Sequence, residues 1–270
     1  MMSAANASLG RMWAIALNTF REAARIKVLY GILVVVIALN LLAVVLGQMS
    51  ISEQTRVARD IGVAGISFFG SLTAIYVGVA LLYGEIQRRT IYAIVSKPIA
   101  RWEFVVGKYL GMALILTLLV ALFAVAMVLL LGYQGVAVSA PVLKAVVLAW
   151  FEVLTVAAIA VFFSSFSTPF LSGIFALALW AIGRVTPDLR SAIATADAPW
   201  IKVVARGALA IVPDLHVFSL SGSTLDGEHV SIHGSFVTWG YVATAALHGV
   251  LWIGALLVLA CAIFRKRDFV

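Results

Sequence analysis

Charged residues are scarce in this sequence. Only 11% of its 270 residues are Asp, Glu, Lys or Arg, whereas 63% are hydrophobic, and the mean hydropathy is +1.10. A soluble domain has about 25% charged and about 45–50% apolar residues, so this composition excludes a soluble globular protein. The sequence therefore predicts an all-α polytopic membrane protein, long enough for about six spanning helices of about 20 residues each.

Cysteine and the common catalytic motifs are also missing. Cys261 is the single cysteine, which excludes an intramolecular disulfide and a zinc framework. The chain has no G-x-x-x-x-G-K-[ST] and therefore no P-loop for ATP, and it has no H-E-x-x-H. Phe170 occupies the position where the G-x-S-G motif of serine intramembrane proteases needs its first glycine. We therefore expect neither an enzymatic activity nor a bound cofactor in this chain.

Apolar runs of spanning length are what the sequence has instead. They predict a transmembrane domain over residues 29–264 with six spans: Leu29–Gly47, Ile61–Tyr83, Val105–Leu131, Val142–Phe163, Pro169–Gly183 and Phe236–Phe264. The fifth is short and forms a tight hairpin with the fourth, with Pro169 at a first helical position. No pair of interrupted helices is expected at the midplane. A tail, residues 265–270, follows the last span.

The N-terminal residues 1–28 alternate apolar and basic positions at helical spacing. Leu9, Trp13 and Phe20 share one face, and Arg11 and Arg25 share the other. This pattern predicts an amphipathic helix in the plane of the membrane interface. A signal peptide is the competing interpretation, but the run that follows is long enough to span and lacks a good cleavage site, which favours an uncleaved first span.

The distribution of basic residues predicts the orientation. With the N-terminus inside, twelve of the 19 Lys and Arg residues are cytoplasmic: Arg11, Arg21, Arg25, Lys27, Arg88, Arg89, Lys97, Arg101, Lys108, Arg265, Lys266 and Arg267. The remaining seven are predicted to be external: Arg56, Arg59, Lys144, Arg184, Arg190, Lys202 and Arg206. The positive-inside rule thus places both termini in the cytoplasm. The net charge of +7 is attributed to this topology, and no nucleic-acid partner is expected.

The external region, residues 184–235, is predicted to contain re-entrant or interfacial helices. Trp200, Val203 and Ile211 lie on one helical face, opposite Lys202. We expect this helix to lie on the outer membrane surface, either as an anchor or as a cap that gates a substrate path. A Gly-, Ser- and Asp-rich loop over residues 219–227 is predicted to follow it.

The segment Gly84–Gly111 joins the second and third spans, and its polar part over residues 84–104 is predicted to form a short amphipathic helix that ends at Ser96. Its functional interpretation is a cytoplasmic coupling helix that receives force from a soluble partner; a simple anchoring turn is the alternative. Candidate coupling residues are Glu85, Arg88, Arg89, Thr90, Ser96, Lys97, Pro98 and Arg101. The Gly107-x-x-x-Gly111 and Ala74-x-x-x-Gly78 patterns predict close helix approach.

Polar side chains inside predicted spans are candidates for a translocation path. Glu152 is an expensive residue to place in a membrane, so it should face protein or water. His248 is its candidate partner, and a protonated Glu152 bonded to Thr155 or another hydroxyl is the structural alternative. Asn40 is predicted to join two helices. Three external histidines are weak candidates for a metal site: His216, His229 and His233.

Several of these segments resemble the ABC-2 type permeases, in particular the group named for the permease of nitrous-oxide-reductase maturation systems. The resemblance is carried by the runs Gly84–Thr90, Ser96–Ile99 and Gly107–Tyr109, by Glu152 with Ser164-Ser165, by Pro213–Leu215 with Phe218–Leu220, and by Phe264–Phe269. It covers nearly the whole chain.

The resemblance implies a six-span permease of the bacterial inner membrane that forms a homodimer and binds two separate ATPase subunits, which hold ATP and Mg²⁺. The segment over residues 84–104 would be the coupling helix, and Glu85, Arg88, Arg89, Thr90 and Lys97 would face the ATPase. Transport would proceed by alternating access, in the outward direction. The family also includes systems for maturation of periplasmic copper enzymes, which implies possible periplasmic accessory proteins.

Two other functions are weighed beside this one. A proton-coupled secondary transporter would use Glu152 and His248 as a relay, although the chain has few ionisable residues in its spans. A membrane scaffold without transport activity is the third interpretation. Co-purification of an ATPase distinguishes the first function from the other two.

Overall fold

The computed structural model describes residues 2–49, 54–87, 100–133, 135, 140–195, 199–219, 221–225, 228–231 and 238–266. Nine α-helices make up nearly all of this part of the chain: α1 (Met2–Ala24), α2 (Lys27–Met49), α3 (Gln54–Gln87), α4 (Arg101–Tyr133), α5 (Ala140–Ser164), α6 (Pro169–Arg184), α7 (Thr186–Thr195), α8 (Pro199–Ile211) and α9 (Trp239–Lys266). A 3-10 helix (Leu215–Phe218) and an antiparallel hairpin of β1 (Ser221–Leu225) and β2 (Glu228–Ser231) precede α9.

Among the described residues, five helices are long and apolar enough to cross a membrane, namely α2, α3, α4, α5 and α9. The first four contain complete predicted apolar runs, and α9 contains the sixth run from Trp239 onwards, so the predicted class of polytopic α-helical membrane protein is confirmed. A helix satisfies every backbone N–H and C=O group within its own segment, which lipid requires. α3 continues beyond its apolar run to Gln87, so the start of the predicted coupling segment is helical.

α1 lies alongside the first turns of α4 because two glycines of α4 permit close approach. A Cβ on Gly107 would lie 2.9 Å from the Cβ of Ile15, and one on Gly111 would lie 2.5 Å from the carbonyl oxygen of Ala16 and from the Cβ of Thr19. The close approach predicted from Gly107-x-x-x-Gly111 is therefore confirmed. Contacts advance along both helices together, so α1 and α4 run in the same direction. Placement of α1 in the plane of the interface stays a prediction.

α3 packs against α5 through a second row of small residues. A Cβ on Gly70 would lie 2.6 Å from Cγ2 of Val153, and one on Gly78 would lie 2.6 Å from the Cβ of Ala160. Ala74, between the two glycines, is fully buried. The Ala74-x-x-x-Gly78 prediction is confirmed, and Gly70 extends the row by one helical turn towards the middle of the bundle.

The predicted fifth span is a broken helix. α6 begins at Pro169, as predicted, and has 16 residues, which is about 24 Å at the rise of an α-helix. A bend of 66° separates it from α7. Because α6 is shorter than a hydrocarbon core of about 30 Å, its last residue lies within the bundle. The break affects one predicted span, so the expectation that no pair of interrupted helices marks a midplane site stays a prediction.

The termini of α4 and α9 define one end of the bundle, here called the α1 end. Nη1 of Arg101 donates to the carbonyl oxygens of Phe264 at 3.5 Å and of Arg265 at 3.0 Å. The rings of Phe104 and Phe264 stack at 5.9 Å between centroids. The N-terminal helix, the start of α4 and the end of α9 are therefore neighbours at the same end.

The segment between α6 and α9 covers the opposite end. Arg190 pairs with Asp214 at 2.9 Å, and the hydroxyl of Tyr241 donates to the carbonyl oxygen of Val217 at 2.6 Å. The predicted helix with an apolar stripe is present as α8, and Trp200 is 69% exposed. The predicted loop over residues 219–227 is wrong in part, because Ser221–Leu225 pairs with Glu228–Ser231 as a hairpin. Backbone pairing, which composition does not encode, is the reason.

Candidate functional site

Glu152 is the centre of a buried polar cluster in the middle of the bundle. Its side chain is 1% exposed. Nη1 of Arg184 donates to Oε1 of Glu152 at 2.6 Å, and Nε1 of Trp180 donates to the same oxygen at 3.3 Å. The hydroxyl of Ser67 donates to Oε2 and in turn accepts a hydrogen bond from Arg184. The cluster therefore joins α3, α5 and α6 by four polar contacts.

The position of each side chain follows from its helix. Glu152 lies twelve residues into α5, about 18 Å from the start of that helix. Arg184 is the last residue of α6, where its positive charge also interacts favourably with the negative end of the helix dipole. α6 stops at this depth because the chain bends, which is how a cation reaches a carboxylate inside the bundle. Their charges cancel, so neither group is left as an isolated charge in a low dielectric.

Arg184 is where the sequence-based assignment fails. It is counted among the external basic residues, yet the structure places it in the bundle on Glu152, where it is 26% exposed. Two signals in the sequence pointed there. The fifth apolar run is too short to cross a bilayer, and it ends on an arginine. A carboxylate within a span also needs a cation. Ser67 and Trp180 carried no comparable signal.

His248 does not belong to the Glu152 cluster. Its neighbours are Phe218 and Trp252, each at 6.4 Å between ring centroids. Among the described residues, Nε2 of His248 has no hydrogen-bond partner. The predicted contact between Glu152 and His248, on which a proton relay depends, is therefore not formed. Thr155 is not a partner of Glu152 either, because its hydroxyl donates to the carbonyl oxygen of Phe151 at 2.8 Å.

The remaining polar candidates lie apart from one another. Asn40 is 4% exposed and donates to the carbonyl oxygen of Val36 at 2.8 Å, and its Oδ1 faces Gly62 of α3. His216 lies in the 3-10 helix, and Asp214 is the N-cap residue of that helix. Burial lowers the pKa of the His216 imidazole. His233 lies outside the described residues, and the described part of the chain contains no group of three metal-binding side chains.

A second buried carboxylate, Glu103, binds side chains of α1 at the α1 end of the bundle. Arg11 forms a two-point contact with it, from Nε to Oε2 at 2.9 Å and from Nη2 to Oε1 at 2.7 Å. The hydroxyl of Ser8 donates to Oε1 at 2.6 Å, and the backbone N–H of Ala100 donates to Oε2 at 3.4 Å. Hydrogen bonding to Glu103 raises the pKa of Arg11, so the arginine stays charged. Glu103 thereby joins α1 to the first turn of α4.

Two of the eight predicted coupling residues are described by the structure. Glu85 lies in the last turn of α3, and Arg101 begins α4 and binds the end of α9. The other candidates lie outside the described residues: Arg88, Arg89, Thr90, Ser96, Lys97 and Pro98. In sequence these residues stand between α3 and the start of α4, and that start contacts α1 through Glu103 and α9 through Arg101.

The family comparison identifies a membrane transporter family. The family model described as "ABC-2 family transporter protein" matches residues 13–269. This chain belongs to the ABC-2 transporter family. No curated protein matches the chain. As an ABC-2 permease, it is the multi-pass membrane component of a transporter, and the matched region includes both buried carboxylates and the segment between α3 and α4.

Proposed function

We propose that this permease moves its substrate outward across the bacterial inner membrane, driven by ATP hydrolysis on two separate ATPase subunits. The observation that carries the proposal is the meeting of α1, α4 and α9 beside the coupling segment. Arg11–Glu103 joins α1 to α4, and Arg101 joins α9 to α4. Displacement of the coupling segment would therefore move three helices together.

The charge distribution supports a cytoplasmic location for the α1 end. This end contains the basic residues of α1 and those at the end of α9, and the positive-inside rule assigns such an end to the cytoplasm. Placement of Arg184 within the bundle leaves six basic residues in the segments assigned to the outside, against twelve inside, so the difference in positive charge between the two sides is larger. Both termini and the coupling segment are then cytoplasmic, where an ATPase is available.

Alternating access requires helices that change their packing between two arrangements. In this proposal α1, α4 and α9 move as one body, and the set of helices joined by Glu152 moves as the other. Hydrogen bonds and the charge pair among α3, α5 and α6 stabilise the arrangement seen here. When ATP brings the ATPases together, the coupling segments move inward and the two bodies shift, which opens a path outward.

The finer assignments depend on the resemblance. A homodimer of this chain would bring two coupling segments to two ATPases. Membership in the nitrous-oxide-reductase maturation group would make the cargo part of the assembly of a periplasmic copper enzyme, with accessory proteins outside. The exposed apolar stripe of α8, with Val203 73% exposed, supports contact with lipid or with an amphipathic cargo at the outer surface.

Charge reversal in the coupling segment tests the proposal. In R88E/R89E, the ATPase should no longer co-purify with the permease, because the basic face that binds it is inverted, while the permease stays monodisperse in detergent. The control K202E/R206E makes the same change in α8 and should retain the ATPase. Unchanged ATPase binding and ATP hydrolysis in R88E/R89E would contradict the proposed coupling role.

A further inference from the structure

An apolar groove opens on the outer surface of the bundle where α1 turns into α2 beside α4. Its floor is formed by Leu29, Ile115 and Leu119, which are 5–6% exposed. Its rim is formed by Tyr30, Leu118 and Leu122, which are 44–61% exposed. Ala24 and Leu33 complete the lining, and the groove holds about 100 Å³. It is therefore a shallow open groove, smaller than the ~300–1,000 Å³ of an enclosed ligand pocket.

The groove runs along the helices rather than across them. Its α4 wall consists of residues 115, 118, 119 and 122, one stripe at helical spacing that is about 10 Å long. Leu29 and Leu33 form the matching stripe on α2. The one polar atom on the rim, the Tyr30 hydroxyl, is already used, because it donates to the carbonyl oxygen of Ala24 at 2.9 Å. The groove thus suits a hydrocarbon chain lying parallel to the spans.

Positive charge lies at one end of the groove. Arg25 and Lys27 lie in the turn between α1 and α2, next to the lining residues Ala24 and Leu29, and both are exposed. The acidic residue nearest in sequence, Glu22, is directed to Lys108, with Oε2 at 3.5 Å from Nζ. The groove is therefore apolar along its walls and cationic at one end. Glu22 does not neutralise that end, because it pairs with Lys108.

We propose that this groove binds one anionic phospholipid from the cytoplasmic leaflet, with an acyl chain along α4 and the phosphate at Arg25 and Lys27. Basic side chains at the membrane surface attract anionic lipid head groups, whereas the apolar walls accept any acyl chain. The bound lipid would fill the space between the α1–α2 turn and α4, beside the helix pair that Glu103 joins. Neither the family assignment nor the proposed transport function assigns this site.

Native mass spectrometry of the full chain, with any co-purifying subunits, tests the proposal. After delipidation, dioleoyl phosphatidylglycerol or dioleoyl phosphatidylcholine is added back in detergent. We expect one tightly held phosphatidylglycerol per permease and at least tenfold weaker binding of phosphatidylcholine. Equal binding of the two lipids would overturn the proposal, because it would show that the charge has no part.

Two pairs of variants locate the bound lipid. R25Q/K27Q should weaken phosphatidylglycerol binding at least tenfold, whereas R265Q/K266Q, which removes two charges at the same end of the bundle, should not. Leu118→Trp should fill the groove and abolish the tight binding, whereas Leu129→Trp, the same change at an exposed position of α4, should retain it. If either variant bound lipid as its control does, the tightly held lipid would lie elsewhere and the site would be refuted.

Discussion

Two buried glutamates of this permease have hydrogen-bond partners of the same types, an arginine and a serine, and differ in where they lie. Glu103 and Glu152 each accept hydrogen bonds from one arginine and one serine, and their side chains are 3% and 1% exposed. Glu103 lies in the first turn of α4, where a backbone N–H also donates to it. Glu152 lies in the middle of α5, and its additional donor is the indole of Trp180.

The comparison shows that the depth of the glutamate determines how much stability is lost when its arginine is removed. Arg11 is 38% exposed and approaches from an outer helix, so water can replace it when it leaves. Arg184 ends a helix within the bundle, so its removal would leave a carboxylate without a counter-charge in a low dielectric. Loss of one partner from a buried pair costs about 3–5 kcal/mol, far more than loss of an exposed one.

The largest effect is therefore expected for Arg184→Met. The change should lower the free energy of unfolding by about 3–5 kcal/mol, because Glu152 loses its counter-charge. Thermal unfolding of the purified permease in detergent measures it. The double variant E152L/R184M should recover most of the loss, since an apolar pair needs no compensation. Equal stability of the single and double variants would refute a paired charge at this site.

A smaller effect is expected where α1 meets α4. Gly111→Ala places a Cβ 2.5 Å from the carbonyl oxygen of Ala16, so α1 must shift, at a cost of about 1–3 kcal/mol. Hydrogen exchange across residues 2–24 should increase. Gly132→Ala is the control on the same helix, where nothing lies within 4 Å. If both variants were equally stable, the close approach of α1 would be excluded.

Arg11→Ala tests the difference between the Glu103 and Glu152 sites. We expect less than half of the stability loss caused by R184M, because the α1 end is open to water, and we expect faster hydrogen exchange in α1 alone. Arg21→Ala, an exposed arginine of the same helix, serves as the control. If R11A lost as much stability as R184M, the position of the carboxylate in the bundle would not determine the cost of losing its arginine.

The smallest effect is expected for Trp180→Phe. It removes the donor at 3.3 Å from Glu152 and leaves the arginine and serine in place, so the loss should be about 0.5–1.5 kcal/mol. Thermal unfolding again measures it, and Trp150→Phe, which removes a donor to Thr117 at 2.9 Å outside the cluster, gives the reference for a lost indole bond. A loss of several kcal/mol would mean that Trp180, not Arg184, holds Glu152.

Much of the fold could be predicted from the sequence because apolar runs of spanning length leave few alternatives. The glycine spacings on α3 and α4 likewise indicated which faces approach a neighbour, though not which neighbour. The partner of Glu152 was missed because spans were assigned by hydrophobicity, and Arg184 was placed outside although its helix is too short to leave the bundle. Arg11 and Glu103 are 92 residues apart, and no local pattern joins such a pair.

Site-directed cross-linking from the coupling segment tests the central claim most directly. A photo-reactive residue at Thr90 should form an adduct with a separate subunit that contains a P-loop sequence, identified by mass spectrometry, and the yield should change when ATP is added. The same residue at Lys202, at the opposite end of the bundle, should give no such adduct. Absence of an ATPase adduct from Thr90, or its appearance from Lys202, would contradict the account.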